Sequence, residues 1–113
     1  MLTIDEIIAA AKQRGASDIH LVCGLPVKCR IDGRICTLDE DILTQDDCEL
    51  YARQLAGDQY ARIETIGELD LARSFSCGAR TRMNLFRQQG AVSAAIRILA
   101  ERIPELEELG LPP

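Results

Sequence analysis

Thr3-Ile4-Asp5-Glu6 has the pattern of a capping box, in which the threonine oxygen accepts from the third helical amide and the glutamate reaches back. Ile4, Ile7, Ile8 and Ala11 follow at i, i+3, i+4 and i+7, one apolar face of a helix that Gly15 ends. Beyond Ser17-Asp18 the period drops to two. Ile19, Leu21 and Cys23 begin a short strand, interrupted at Gly24-Leu25-Pro26. Residues 27–31 and 34–38 then alternate on either side of Asp32-Gly33, the strongest hairpin signal in the chain. Val27, Cys29, Cys36 and Leu38 face inward in that reading, and Lys28, Arg30 and Thr37 outward.

Asp39-Glu40-Asp41 reads as an acidic connector of undefined conformation. Thr44 caps the next helix, with Leu43 and Cys48 as a hydrophobic staple and Leu50, Tyr51 and Leu55 as its apolar contacts. After Gly57, Asp58 is expected to cap a second short helix to about Thr65, burying Tyr60 and Ile63, and Gly67 returns the chain to strand. Residues 68–76 alternate with Leu69, Leu71 and Phe75 on one face. A three-residue loop after them sets Leu71 against Leu85, Phe75 against Thr81 and Ser74 beside Arg82, while Arg73 intrudes on the apolar side.

The stretch from Ala79 to Leu99 carries two alternating runs around Gln89-Gly90, where glycine accepts the positive φ of a tight hairpin. With those two residues as the loop, Gln88 faces Ala91, Met83 faces Ile96, Leu85 faces Ala94 and Thr81 faces Ile98. The other face then has Arg82 directly opposite Arg97, with Asp70 nearby as a candidate counter-charge. Like charges facing each other across a ladder cost a fraction of a kcal/mol. The pair is therefore either two solvated arginines that splay apart or a seat for an anion. The predicted order is helix, three strands, two helices, three strands and a short leucine-bearing tail from Pro104. That is an α+β fold, a six-stranded, mostly antiparallel sheet with about three helices on one face.

At 113 residues the chain suits one small core, and 47% hydrophobic content with four prolines argues for a folded domain. Aromatic content of 4% makes that core aliphatic. No apolar run approaches the roughly 20 residues of a membrane helix and no signal peptide is visible, so a soluble, cytoplasmic protein is expected. The net charge of −5 argues against nucleic acid as a partner. Its distribution is uneven: residues 79–102 hold Arg80, Arg82, Arg87, Arg97 and Arg102 against Glu101 alone. A basic sheet segment in an acidic domain fits a confined anionic ligand or an acidic partner face.

The five cysteines, Cys23, Cys29, Cys36, Cys48 and Cys77, are odd in number and lack a C-x-x-C, which favours reduced, mostly buried thiols over disulfides or zinc. Cys29 and Cys36 fall opposite each other, where oxidation could join them incidentally. His20, the one histidine, has no evident partner ligands for a metal, and a hydrogen-bonded structural role is expected. Neither G-x-x-x-x-G-K-[ST] nor G-x-G-x-x-G occurs, and no catalytic dyad has motif support, so the domain alone is expected to be inactive as an enzyme.

Five stretches occur in a telling order: Gly15-Ala16-Ser17-Asp18-Ile19-His20-Leu21, Arg30-Ile31-Asp32-Gly33, Glu68-Leu69-Asp70, Arg82-Met83-Asn84-Leu85-Phe86-Arg87-Gln88, and 103–112, reading IPELEELGLP. Together they resemble the amino-terminal domain of type IV pilus retraction (twitching motility) ATPases, the PilT-like branch of the secretion-ATPase family. The resemblance implies a PAS-like domain over 1–102 and, from 103–113, the start of a linker to a RecA-like ATPase domain. It further implies a homo-hexameric motor at the inner face of the membrane, ATP with Mg as cofactor, and an inner-membrane platform protein as partner. In that family two arginines of this domain reach the nucleotide, and by motif they match Arg82 and Arg97. Asp18 and His20 match a family signature to which a structural role is assigned. The alternatives are the equivalent domain of a pilus-extension or type II secretion ATPase, or a free-standing PAS-like sensor or protein-interaction module. A reading frame that continues past Pro113 into G-x-x-x-x-G-K would exclude the free-standing module.

Overall fold

Six strands and three α-helices build the domain in a computed structural model that describes residues 2–88 and 90–99. In chain order these are α1 (Ile4–Gln13), β1 (Asp18–Leu21), β2 (Pro26–Ile31), β3 (Arg34–Ile42), α2 (Gln45–Ala56), α3 (Tyr60–Ile66), β4 (Glu68–Ser74), β5 (Arg80–Gln88) and β6 (Ala91–Ile98). A 3-10 turn at Gly57–Gln59 joins α2 to α3, so the two form one bent stretch of helix. β1–β3 and β4–β6 are each an antiparallel meander. They meet through β1 and β6, giving one sheet in the order β3-β2-β1-β6-β5-β4, every pairing antiparallel.

The helices cover one face. α1 packs on α2 and β3, α2 lies over β6, and α3 rests on β4 and β5. Ile7, Ile8, Ile19, Leu21, Val27, Tyr51, Ile63, Leu85 and Ile96 are almost wholly buried between the layers. Each such aliphatic side chain contributes about 1.5–3 kcal/mol when removed from water. Tyr51, the large aromatic of this core, donates its hydroxyl to the Leu2 carbonyl at 2.6 Å, so its polar tip is satisfied. Thr3 and Thr44 both make full capping boxes, with Glu6 and Asp47 reaching back to the cap amides.

Several local expectations are corrected. Leu50 is 44% exposed; the buried stripe of α2 runs Cys48, Tyr51, Ala52, Leu55, Ala56, and position 50 lies off that helical repeat. Asp58 caps nothing, because it sits inside the 3-10 turn and α3 starts from Gln59 without a side-chain cap. The acidic residues 39–41 are strand, part of β3. Cys23 lies beyond β1 and is exposed. Cys29 faces Cys36 as expected, but a bulge pairs Val27 with Asp39 instead of Leu38.

The β4–β5 register differs by two residues from the one predicted. Leu71 faces Met83 and Ala72 faces Arg82, while Ser74 pairs with Arg80. Gly78 explains the difference. Its amide bonds the Phe75 carbonyl at 2.9 Å, and its φ of 93° makes it the left-handed third residue of a loop over 76–78. A loop over 77–79 would put that conformation on Ala79. Arg73, the intruder on the apolar face, donates from Nη1 to the Gln54 carbonyl at 2.8 Å in the last turn of α2 and stacks 4.7 Å over Phe75. A cation at a helix C-terminus is favourably placed. The segment 103–113, with its expected short helix and the domain boundary, lies outside the described residues.

Candidate functional site

The β5–β6 hairpin has the register read from its loop: Gln88 faces Ala91, Met83 faces Ile96, and Arg82 faces Arg97. Gly90 takes a φ of 84°, which the two-residue loop requires. Alternation then sends Met83, Leu85 and Ile96 into the core and puts Arg82, Asn84, Ala95 and Arg97 on the face that none of the described helices covers. Opposed residues of an antiparallel pair sit about 4.5–5.5 Å apart at Cα. The two guanidinium groups therefore start from neighbouring points of one surface.

A third strand completes the arrangement. β1 runs along the other side of β6, pairing Asp18 with Arg97, and β2 pairs Arg30 with Asp18. Arg30, Asp18, Arg97 and Arg82 thus form one transverse row across four adjacent strands. Arg97 Nε donates to Asp18 Oδ1 at 3.3 Å, while Arg30 Nε lies 3.9 Å from Oδ2. Ser17 Oγ donates to the same Oδ2 at 2.9 Å. Burial, the largest influence on the Asp18 carboxyl, pushes its pKa up, but the Ser17 hydroxyl and the Arg97 guanidinium outweigh it and hold the group below its ordinary value. Arg97 nevertheless remains 73% exposed, and Arg82 is exposed with no hydrogen bond or ion pair among the described residues.

Asp18, Asp70, Arg82, Asn84, Ala95 and Arg97 line a shallow, open depression of about 290 Å³. Asp70 is not the counter-charge of Arg82. It accepts from Asn84 Nδ2 at 2.7 Å, and Glu68 takes a second bond from that amide at 3.2 Å. The carboxylate that does engage one of the two, Asp18 on Arg97, comes from a strand more than seventy residues away in sequence. The depression is lined by two arginine forks, one tethered at Nε and one unengaged among the described residues. Such forks match the oxygens of phosphate or carboxylate in paired hydrogen bonds.

No family model matches the chain. It is 36% identical over 111 residues to the uncharacterized protein YggR of Escherichia coli K12, a match that takes in 98% of this chain and 33% of that protein. It is 29% identical over 111 residues to the type IV pilus retractation ATPase PilT of Pseudomonas aeruginosa, covering 97% of this chain and 32% of PilT. Among solved structures, the pilus retraction motor PilT with bound ADP superimposes at a TM-score of 0.85 with 38% identity, over 99% of this chain and 33% of that one. The chain matches the amino-terminal domain of PilT-like secretion ATPases. The Legionella pneumophila ATPase DotB shares the fold, with a TM-score of 0.76 at 20% identity over 95% of this chain and 32% of DotB. The chain spans about a third of the length of the relatives it matches.

In this PilT-like domain one further basic residue of the same strand pair serves a different end. Arg87 points to the helical side, where it binds Glu49 of α2 at 3.2 Å and Glu64 of α3 at 2.5 Å. His20 is half-buried on the open face between Lys28 and Ala95, and makes no hydrogen bond among the described residues, contrary to its expected structural bonding. Among the described residues no group of three or more His, Cys, Asp or Glu is placed to hold a metal. Cys29 and Cys48 are buried, Cys36 is half-buried, and Cys23 and Cys77 are exposed. No described helix is long and apolar enough to cross a membrane.

Proposed function

We propose that this chain is the PAS-like, nucleotide-sensing amino-terminal domain of a hexameric ATPase that powers type IV pilus retraction, and that Arg82 and Arg97 supply positive charge to a nucleotide held by a following RecA-like domain. One observation carries the reading: two arginines directly opposed on the uncovered sheet face, one of them without any partner among the described residues. Two like charges held side by side oppose folding slightly, and an anion between them reverses the sign of that term. A hydrogen bond to a charged group contributes about 1.5–3 kcal/mol. Two such bonds, made only when the domains close on ATP with its Mg, are enough to couple nucleotide state to domain position. At the γ-phosphate the same cations offset charge that builds in the transition state.

Hydrolysis in this reading belongs to the longer protein, working in the cytoplasm at the inner face of the membrane against a platform protein. The test uses full-length protein carrying R82A or R97A, with ATP turnover measured and hexamer content followed by light scattering. Each variant is expected to lose about tenfold or more in kcat/KM, the loss of one charge-assisted bond in the transition state, while remaining hexameric. Wild-type turnover in both variants would refute the role.

A further inference from the structure

The row Arg30–Asp18–Arg97–Arg82 contains one carboxylate between cations, and its geometry goes beyond neutralisation. Asp18 engages Arg97 through Nε, not through the outer nitrogens, whose Nη1 and Nη2 make no hydrogen bond among the described residues. A guanidinium tethered at Nε keeps its Nη1/Nη2 edge available for a second, bidentate partner. The tether is itself fixed. Ser17 Oγ holds Asp18 Oδ2 at 2.9 Å, and the Asp18 side chain is only 20% exposed against 73% for Arg97. Arg30 stands on the far side of the carboxylate, 3.9 Å away, and donates from Nη1 to the Gly33 carbonyl at 3.3 Å, which anchors it to the β2–β3 turn.

We infer that Asp18 is the positioning residue of the phosphate site: it aims the outer edge of Arg97 at the anion, and Arg30 keeps the carboxylate neutralised so that Asp18 does not repel that anion. This rests on the nucleotide reading of Arg97 given above. An exposed arginine without a tether must lose rotamer freedom on binding, and a prior tether lowers that cost. The carboxylate would be a poor neighbour for phosphate if bare. With a cation on each side, the row from β2 to β5 carries a net positive charge.

The experiment measures KM for MgATP and kcat in the full-length hexamer for wild type, R97A, D18A, D18N, R97K and the double variant D18A/R97A. R97A is expected to raise KM about tenfold, and D18A about three- to fivefold with kcat little changed, since D18A leaves the charge of Arg97 in place but not its direction. In the R97A background D18A adds nothing further, because Asp18 acts through Arg97. D18N keeps an acceptor oxygen opposite Nε and restores KM to within about twofold of wild type. R97K keeps the charge, lacks the Nε–H and the fork, and behaves like D18A; it alters an exposed side chain and does not depend on a β1 variant folding. If R97A is impaired while D18A or R97K matches wild type, or if the D18A effect multiplies in full onto R97A, the positioning role is overturned and the nucleotide reading survives. Wild-type behaviour of R97A overturns both.

Discussion

Arg87 should be the most sensitive charged residue of the domain, and its removal tests how the helical layer is fastened to the sheet. It leaves β5 on the core side, where its Nη1 meets Glu49 Oε2 at 3.2 Å and its Nη2 meets Glu64 Oε2 at 2.5 Å and the Tyr60 hydroxyl at 3.4 Å. Tyr60 in turn donates to Glu49. Burial, the largest influence, pulls the Arg87 pKa down, but Tyr60, Glu64 and Glu49 outweigh it, so the cation is held more firmly than in water. The two carboxylates differ in setting: Glu49 is 25% exposed and Glu64 is 55% exposed. A solvent-exposed pair is worth about 0.2–1 kcal/mol, whereas stranding a half-buried carboxylate costs about 1–3 kcal/mol. Against this, Arg87 Nε is buried with no hydrogen-bond partner among the described residues, a penalty that its removal relieves. R87A should therefore cost about 2 kcal/mol, E49A somewhat less and E64A less than about 1 kcal/mol. Thermal and urea unfolding followed by circular dichroism will read this as a midpoint roughly 8–12 °C lower for R87A at an unchanged urea slope. An R87A midpoint within about 2 °C of wild type would refute the fastening role of Arg87, and an E64A loss equal to that of R87A would refute the ranking of Glu49 above Glu64.

Further predictions concern the loop, the thiols and acid stability. G78A should destabilise by about 1 kcal/mol or more in the same melts, because alanine must adopt the φ of 93° that closes the 76–78 loop. Thiol titration of the native protein at pH 8 should find Cys23 and Cys77 reacting fast, Cys36 slower, and Cys29 and Cys48 only on unfolding. Burial first, then the neighbouring Cys23, Asp47 and Glu49, push the Cys48 thiol up to about 11, so about one molecule in a thousand is thiolate at that pH. Asp18 has a lowered pKa in the folded state, so its contribution is fully present above its unfolded pKa and is lost as the pH falls through the folded one. The stability gap between wild type and D18N should hence be constant above about pH 5 and narrow toward pH 3; a gap that widens on acidification would contradict the ion-paired carboxylate.

The two arginines are legible in the sequence because a short glycine loop leaves one register that keeps Met83, Leu85, Ile96 and Ile98 together. Alternation is blind to slips of two, and the β4–β5 pairing shows it: Leu71 stays on the core side whether it faces Leu85 or Met83, and only the conformation of Gly78 separates the registers. Leu50 misleads for a related reason, since hydrophobicity alone does not place a residue on the buried stripe of a helix. Asp18 is harder still. Every hairpin is a local event, but the junction of β1 with β6 joins strands more than seventy residues apart, and no turn signal encodes it. That junction is where the row of charges crosses from one meander to the other. Arg82 and Arg97 belong to the second meander, Asp18 and Arg30 to the first, so the tether on Arg97 exists only while the two halves are docked. On the nucleotide reading proposed above, loosening the β1–β6 seam by a core substitution at Ile19 or Ile96, far from solvent and on the opposite face from both arginines, should therefore weaken nucleotide affinity in the full-length protein as well as lower the melting midpoint.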